Sequence, residues 1–449
     1  MVWLARYLGQ VGFGKFSLAF AYLGFFAILT DFGLDQIIVR DISSNRGSPE
    51  RLLGNAILLK LLLSFIAIVF AWLILLVLNY PFDTKALIFV ASISLILSYQ
   101  SPSFGNVFTT IFTANLSRIY VTAIDLVSKI SIAALTILLI VLRRPLLEIV
   151  AVNVLGLIPG FLVLYFLSRR FIRPNFSFDY KMWKYLLKES LPLALSTVFV
   201  MIYFRIDVIL LSLWKTEVAI GYYAAAYKLT ESFNMIGSAF IVTLLPVASK
   251  YYASAKESMF KAYQLSLKYL LIFMVPVAIG TTYFSRDIIN LVYKGAYSSS
   301  SPALAILVWA ELFILLNMTI STFLISMHRQ KVFFVVTFVL MFLNILLNYL
   351  LIPGLSFVGS SIATVVTEGA FTCVGLIYLG WKHNLLPDFA LARLIPVNLA
   401  FFFFLSAVPG LPLLLVVFLS IPIYLALLLL FKGIGRVELD LLKRMFASA

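Results

Sequence analysis

The chain has 449 residues, is 63% hydrophobic and 12% charged, and carries a formal net charge of +15 with a mean hydropathy of +1.06. That composition excludes a soluble globular domain and an intrinsically disordered chain. A single cysteine, Cys373, excludes an intramolecular disulfide, and the two histidines, His328 and His383, sit in separate polar connections. No imidazole–thiolate metal site follows from such a set, and no cofactor is called for.

An α-helix rises about 1.5 Å per residue, so about 20 apolar residues cross a hydrocarbon core about 30 Å thick. By that measure the chain is an all-α, polytopic membrane protein of about 13 spans. They fall at roughly 14–39, 52–79, 86–113, 119–142, 146–168, 186–214, 218–248, 264–284, 303–326, 332–352, 357–380, 391–408 and 411–431. The opening Met1–Gly9 reads as the last turns of a further helix, as if a first span were missing. The upstream reading frame is therefore expected to encode about 20 more apolar residues, the alternative being a short interfacial segment. Pro192, Pro246, Pro276, Pro396 and Pro422 fall within or at the ends of spans as candidate hinges or packing kinks. The third span is polar for its length, with Ser98, Ser101, Ser103, Asn106, Thr109, Thr110 and Thr113 suited to lining a sugar site or to bonding between helices.

Basic residues cluster in alternate connections, which marks a membrane topology rather than a nucleic-acid surface. One set, from Arg40, Arg46 and Arg51 through Arg118, the Arg169–Lys188 cluster, Lys250, Lys256, Lys261, Arg329, Lys331, Lys382 and Arg393 to Lys432, Arg436, Lys443 and Arg444, holds 21 of the 34 Lys and Arg residues. The opposite set holds 8, including the pair Arg143–Arg144 that runs against the trend. The richer side is cytoplasmic by the positive-inside rule, which puts the C-terminus inside and residue 1 outside.

The chain also repeats itself. Val11 to Phe20 lines up with Val218 to Tyr227, and Phe112 to Ile119 with Ile325 to Val332, at nearly the same offset. That offset spans an even number of helices, so both halves keep one orientation, a parallel-repeat transporter architecture with the substrate site between halves.

Ala5-Arg6-Tyr7-Leu8-Gly9 with Phe13-Gly14-Lys15-Phe16 resembles the first outer loop of polysaccharide flippases, and Asp31-Phe32-Gly33-Leu34 with Arg40-Asp41 resembles the inner end of the span that follows. Tyr203 to Asp207, Gly221-Tyr222-Tyr223 and Ala225 to Leu229 are similar to their seventh and eighth spans. Asn344 to Asn348, Leu351-Ile352-Pro353 and Gly359 to Thr364 match their eleventh and twelfth. The family is the oligosaccharide-lipid branch of the superfamily that also holds multidrug extruders and the lipid II flippase. The resemblance implies two pseudo-symmetric six-helix lobes with two added C-terminal helices. It divides the chain into an N-terminal lobe (1–180), a C-terminal lobe (181–388) and a helix pair with a cytoplasmic tail (389–449). It implies a cell-membrane flippase for a lipid-linked oligosaccharide of the polyprenyl-phosphate type, working among membrane lipids by alternating access. H+ or Na+ is the candidate coupling ion, and nucleic acid is no partner.

Charges inside spans are costly and mark candidate functional residues. Arg205 and Lys228 lie roughly 14–15 Å below the outer surface on consecutive spans, with Asp207 and Glu231 close by in sequence. A guanidinium fork and an ammonium suit the phosphates of a lipid-linked glycan, and mutual neutralisation of the four charges is the competing reading. Asp125 and Lys129, at i,i+4, are expected to pair with each other, whereas Lys60 has no opposite charge on its own helix. Lys60 is therefore read as meeting an anionic ligand or a carboxylate from another helix, with snorkelling to the inner headgroups as the alternative. Asp31 and Asp35, four apart, repel unless they share a proton or a cation, and Arg40 could also neutralise them. The candidate substrate-binding residues are thus Arg205, Lys228 and Lys60, and the candidate ion-coupling residues Asp31, Asp35, Asp207 and Glu231. Glu311 and Glu368, each alone in a later span, stay unassigned.

A multidrug cation antiporter of the same fold is the alternative function, although it would favour an acidic or apolar cavity over one with basic residues in its spans. A membrane glycosyltransferase would need a sizeable outer loop with carboxylates, whereas the longest loop, 169–185, is basic and inner. No Walker motif is present, so the chain itself is no ATP-driven pump. The topology is open to test. In a Cys373→Ala background, single cysteines at 175–180 should react only from the cytoplasm and those at 296–300 only from outside, and the reverse pattern would overturn the orientation.

Overall fold

The computed structural model describes residues 1–43, 48–99, 102–115, 117–254, 256–327, 329–385, 388–408 and 410–434. Arg46, Ser101, His328, Arg436, Lys443 and Arg444 lie outside the described residues, as do the side chains of Pro192, Pro246 and Lys256. Every regular element among the described residues is helical, and the chain forms two compact units, Met1–Gly221 and Tyr222–Ala449.

The first unit opens with α1 (Val2–Asp31), whose helical dihedrals break at Gly9 (φ 63°, ψ −177°). A turn at Phe32 and Gly33, both in the left-handed region, leads to α2 (Leu34–Ser43). The predicted span 14–39 is thus interrupted between Asp31 and Asp35. Next comes α3 (Pro49–Val77), with proline where a helix has no N–H to lose. The continuous span expected at 86–113 is instead three pieces, α4 (Phe82–Ala91), α5 (Ser94–Leu97) and α6 (Asn106–Ala114). The physical reason lies in its sequence: Pro102 supplies no N–H, and serines at 98 and 103 offer the backbone local alternatives to helix. Then follow α7 (Arg118–Val141), α8 (Leu146–Leu155) and α9 (Ile158–Ser168), the last two parted just ahead of Pro159. The 35-residue α10 (Tyr180–Trp214) is capped by Asp179, whose carboxylate accepts from the N–H groups of Lys181 and Met182. The unit boundary falls inside α11 (Glu217–Thr230).

Ile38, Leu53, Val107, Ile111, Phe112 and Leu164 form a core where α2, α3, α6 and α9 meet. On α7 the reverse holds, since Leu126, Val127, Ile130, Leu138 and Val141 are exposed, as lipid-facing side chains are. The repeat alignment sets Gly14 opposite Gly221, and the structure brings these two glycines together. A Cβ on Gly14 would strike the carbonyl of Glu217, and one on Gly221 the carbonyl of Gln10. Each struck carbonyl lies four residues before the opposite glycine, so the contact is reciprocal, and small residues permit so close a backbone approach.

In the second unit, α12 (Asn234–Ser254), α13 (Lys256–Tyr283), α14 (Ser285–Tyr293) and α15 (Ser301–Ser326) precede a 54-residue element, α16 (Gln330–His383). At about 1.5 Å per residue α16 would reach roughly 80 Å, far beyond one bilayer. It breaks at Ser356 (φ 54°, ψ −135°), just after Pro353, and its halves fold back on each other. Ser360 donates to Asn348 at 2.8 Å, and Asn344 to Thr367 at 3.4 Å. The expected separate spans 332–352 and 357–380 are these two halves. Finally α17 (Leu394–Ala407) and α18 (Leu413–Leu430) pack through Val397, Phe401, Leu405, Val416, Tyr424 and Leu428. Both α13 and α18 run on through Pro276 and Pro422, and Pro396 sits in the first turn of α17. Among the described residues eight helices are long and apolar enough to cross a membrane, or nine if the bent pair Tyr180–Leu191 and Leu193–Tyr203 is one span. The count falls below the roughly thirteen expected because α16 holds two spans and other apolar stretches are divided into shorter helices. The chain is a multi-pass α-helical membrane protein.

One strap in the first unit is set by a side chain. Asn55 donates to the carbonyls of Arg51 and Ser177 and accepts from the N–H of Asp179, each at 2.9 Å. Beside it the backbone of Asn175 presses so close on Gly54 that a Cβ there would strike the Asn175 carbonyl. With a net worth of about 0.5–1.5 kcal/mol for each of the two hydrogen bonds to the strap, Asn55→Ala should destabilise the unit by about 1–3 kcal/mol. Limited proteolysis should then cut near residues 170–180 faster, with a lowered melting temperature in detergent, and an unchanged cutting rate would contradict the strap.

Candidate functional site

In the first unit the sequence-flagged charges converge. Asp31 ends α1, Asp35 starts α2, and Lys60 reaches them from α3. The Lys60 ammonium is fully buried and donates to Asp31 Oδ1 at 2.8 Å and Asp35 Oδ1 at 2.6 Å. Asn106 of α6 donates to the other Asp35 oxygen at 2.6 Å, and its own Oδ1 accepts from Thr109 at 2.6 Å. Lys60 thus meets carboxylates from other helices, one of the readings its sequence left open. Arg40 takes no part, since its guanidinium donates to Asp41, Glu189 and Tyr185. An ammonium stripped of water costs several kcal/mol unless closely partnered, so the two aspartates set where Lys60 lies.

Beside this cluster opens a cavity of about 730 Å³. Asp35, Asn106, Thr109, Thr110, Thr113, Arg118, Asp125 and Lys129 are among its lining residues, and Lys60 is not. Lys60, expected as a substrate contact, therefore stands behind the cavity wall. Lys129 pairs with Asp125 at 2.9 Å, as the i,i+4 spacing predicted. Arg118 is exposed and forms no ion pair among the described residues. It is the cationic lining group that sequence reasoning missed, having been counted only as a topology marker. Of the polar residues of the third span, Asn106, Thr109, Thr110 and Thr113 of α6 lie on this wall, which also carries a cation that can hold an anion.

The other candidates are less concentrated. Arg205 is half-buried on α10, while the buried Asp207 accepts from the backbone N–H of Val208 at 2.7 Å. Both belong to the first unit, whereas Lys228 and Glu231 belong to the second. Lys228 donates to Glu231 at 2.7 Å, with both side chains partly exposed. The second unit also contains a buried polar network. Asn317 of α15 donates to the backbone carbonyl of Glu368 at 3.0 Å and to its carboxylate at 2.7 Å, and Thr372 donates to Asn317 at 2.7 Å. Glu368 was noted in the sequence without a partner, because its partner stands on another helix.

Removing the Lys60 ammonium would leave two part-buried carboxylates without their counter-charge. Lys60→Met should destabilise the protein by about 3–5 kcal/mol, and adding Asp31→Asn and Asp35→Asn should restore much of that. Thermal melting of the single and triple variants in detergent checks this, and a Lys60→Met protein that melts like the wild type would remove the cluster from any structural role.

A family model described as "Polysaccharide biosynthesis protein" matches residues 1–252, and a second, MatE, matches residues 192–350. An uncharacterised membrane protein of Methanocaldococcus jannaschii is 23% identical over 377 residues, covering 78% of this chain and 74% of that one. A probable low-salt glycan biosynthesis flippase, Agl15, of Haloferax volcanii is 22% identical over 178 residues, covering 39% of this chain and 38% of its own. The structure of the lipid II flippase MurJ in an inward closed conformation superposes with a TM-score of 0.74 at 18% identity, covering 97% of this chain and 98% of that chain. That likeness shows a shared transporter fold. With more than half its length matched by the first model, the chain belongs to the polysaccharide biosynthesis protein family, the flippase family that its sequence resembles.

Proposed function

We propose that the protein flips a lipid-linked oligosaccharide from the cytoplasmic to the outer leaflet by alternating access, without chemistry on the substrate. The observation that carries this reading is the cavity beside α6 and α7, whose lining includes Arg118, the Asn106 amide and several threonines. A guanidinium suits phosphate oxygens, and hydroxyls and amides suit sugar hydroxyls, so one wall offers both halves of such a headgroup. Family membership supports the same reading, as does the Haloferax relative described as a glycan flippase. Arg205 and Lys228 are proposed as further anion contacts, within lobes bounded at 1–180 and 181–388.

Multidrug cation antiport is a second reading, favoured by the MatE match over residues 192–350. It sits poorly with Arg118, since a bare guanidinium on the wall repels a cationic drug.

Glycan export in a strain lacking its own copy, measured together with membrane abundance, tests the assignment. Arg118→Ala, Arg205→Ala and Lys228→Ala should each lower export at least about tenfold at unchanged abundance, a loss of about 1.4 kcal/mol or more. Arg205→Lys should rescue poorly, because a point charge lacks the planar fork. Full recovery in Arg205→Ala/Asp207→Ala would make Arg205 half of a structural pair. Resistance to cationic drugs without any glycan export would favour the antiporter.

A further inference from the structure

Glu311 lies well inside α15, ten residues from Ser301 and fifteen from Ser326, or about 15 and 22 Å along the axis. It is 3% exposed, and its Oε1 is buried with no hydrogen-bond partner. The charged groups that act on it are Glu368, from α16, and Glu231, from the turn at Glu231–Phe233. Both are acidic, but Glu231 is paired with Lys228 of α11 at 2.7 Å, which leaves Glu368 as the facing negative charge. An ionised carboxylate here would be desolvated, left with an unpartnered oxygen and repelled by Glu368, each an effect that disfavours the charged form. Glu368 is placed differently. Its carboxylate accepts from Asn317, and Asn317 is held in turn by Thr372. The donors stand on Glu368, so of these two buried acids Glu311 is the one left to be neutralised by other means. In the first unit the same problem is met by an internal cation, Lys60, between Asp31 and Asp35.

We propose that Glu311 is a proton-binding site, holding a proton while buried in this conformation and releasing it to water when the transport cycle wets α15. The proton leaves as the carboxyl becomes a carboxylate, and it returns when the site closes. The sequence pointed to Asp31, Asp35, Asp207 and Glu231 for ion coupling, and in this structure Lys60 pairs with the first two. The proposal deepens the flippase reading, on which it rests for the role of the proton, by naming the ion that drives the cycle.

Infrared spectroscopy of the full chain in lipid nanodiscs tests this without any glycan. In sodium-free buffer at neutral pH, the wild type should show the carbonyl stretch of a protonated carboxylic acid, and Glu311→Gln should lose that band. Adding sodium should leave the band in place. A spectrum unchanged by Glu311→Gln would overturn the proposal, and bleaching of the band by sodium would replace the proton with a metal cation. Should Glu311→Gln fail to assemble, Glu368→Gln gives the same decision: removing a facing negative charge should make the wild-type band titrate away at lower pH. No shift would again overturn it. Because the band is read without substrate, its absence would remove the proton site and leave the glycan assignment standing, whereas failure of glycan export would do the reverse.

Discussion

An ammonium group with no access to water, held between two carboxylates, organises much of the first unit. Lys60, Asp31 and Asp35 come from three helices, and Asn106 from a fourth, so satisfying one buried charge fixes the mutual positions of α1, α2, α3 and α6. Hydrocarbon offers no solvent to compensate a misplaced partner, and the geometry is accordingly short and complete. The turn at Phe32–Gly33 serves the same end. It allows the second carboxylate to begin a new helix while both acids still reach the same ammonium.

The breaks in the helices and the polar groups go together. Non-helical backbone at membrane depth survives only where protein or a wet cavity covers it. In the first unit the third span fragments between α5 and α6, and the cavity lies along α6, lined by Asn106, Thr109, Thr110 and Thr113. Within α6 the threonines donate to their own helix, Thr109 to the Asn106 carbonyl, Thr110 to that of Val107 and Thr113 to that of Thr109, so what they offer a ligand is acceptor oxygen.

Much of this was legible in the sequence, for identifiable reasons. Apolar length revealed the membrane class and both halves of α16, because a run of about 20 apolar residues has few other uses. The Asp125–Lys129 pair was readable because both partners share one helix face. The Lys60 cluster was only half readable: each member stood out as a charge in hydrocarbon, but nothing in a single sequence says which helix lies beside which. Arg118 was hidden by its own type, since an arginine at the inner end of a span reads first as an orientation signal. The fragmentation of 86–113 was missed because mean apolarity outweighed Pro102 and its flanking serines.

The break in α16 bears on how the chain enters a membrane. Between Ile352 and Phe357 there are too few residues for a loop, and none is charged. Neither half can therefore be threaded and anchored by itself at that end. Arg329 precedes the first half, Lys331 lies in its first turn, and Lys382 closes the second. The two halves should partition into lipid together, as one helical hairpin led by its uncharged tip, with its orientation decided at the base. Lysines added at the tip would oppose translocation far more than the same lysines added at either base.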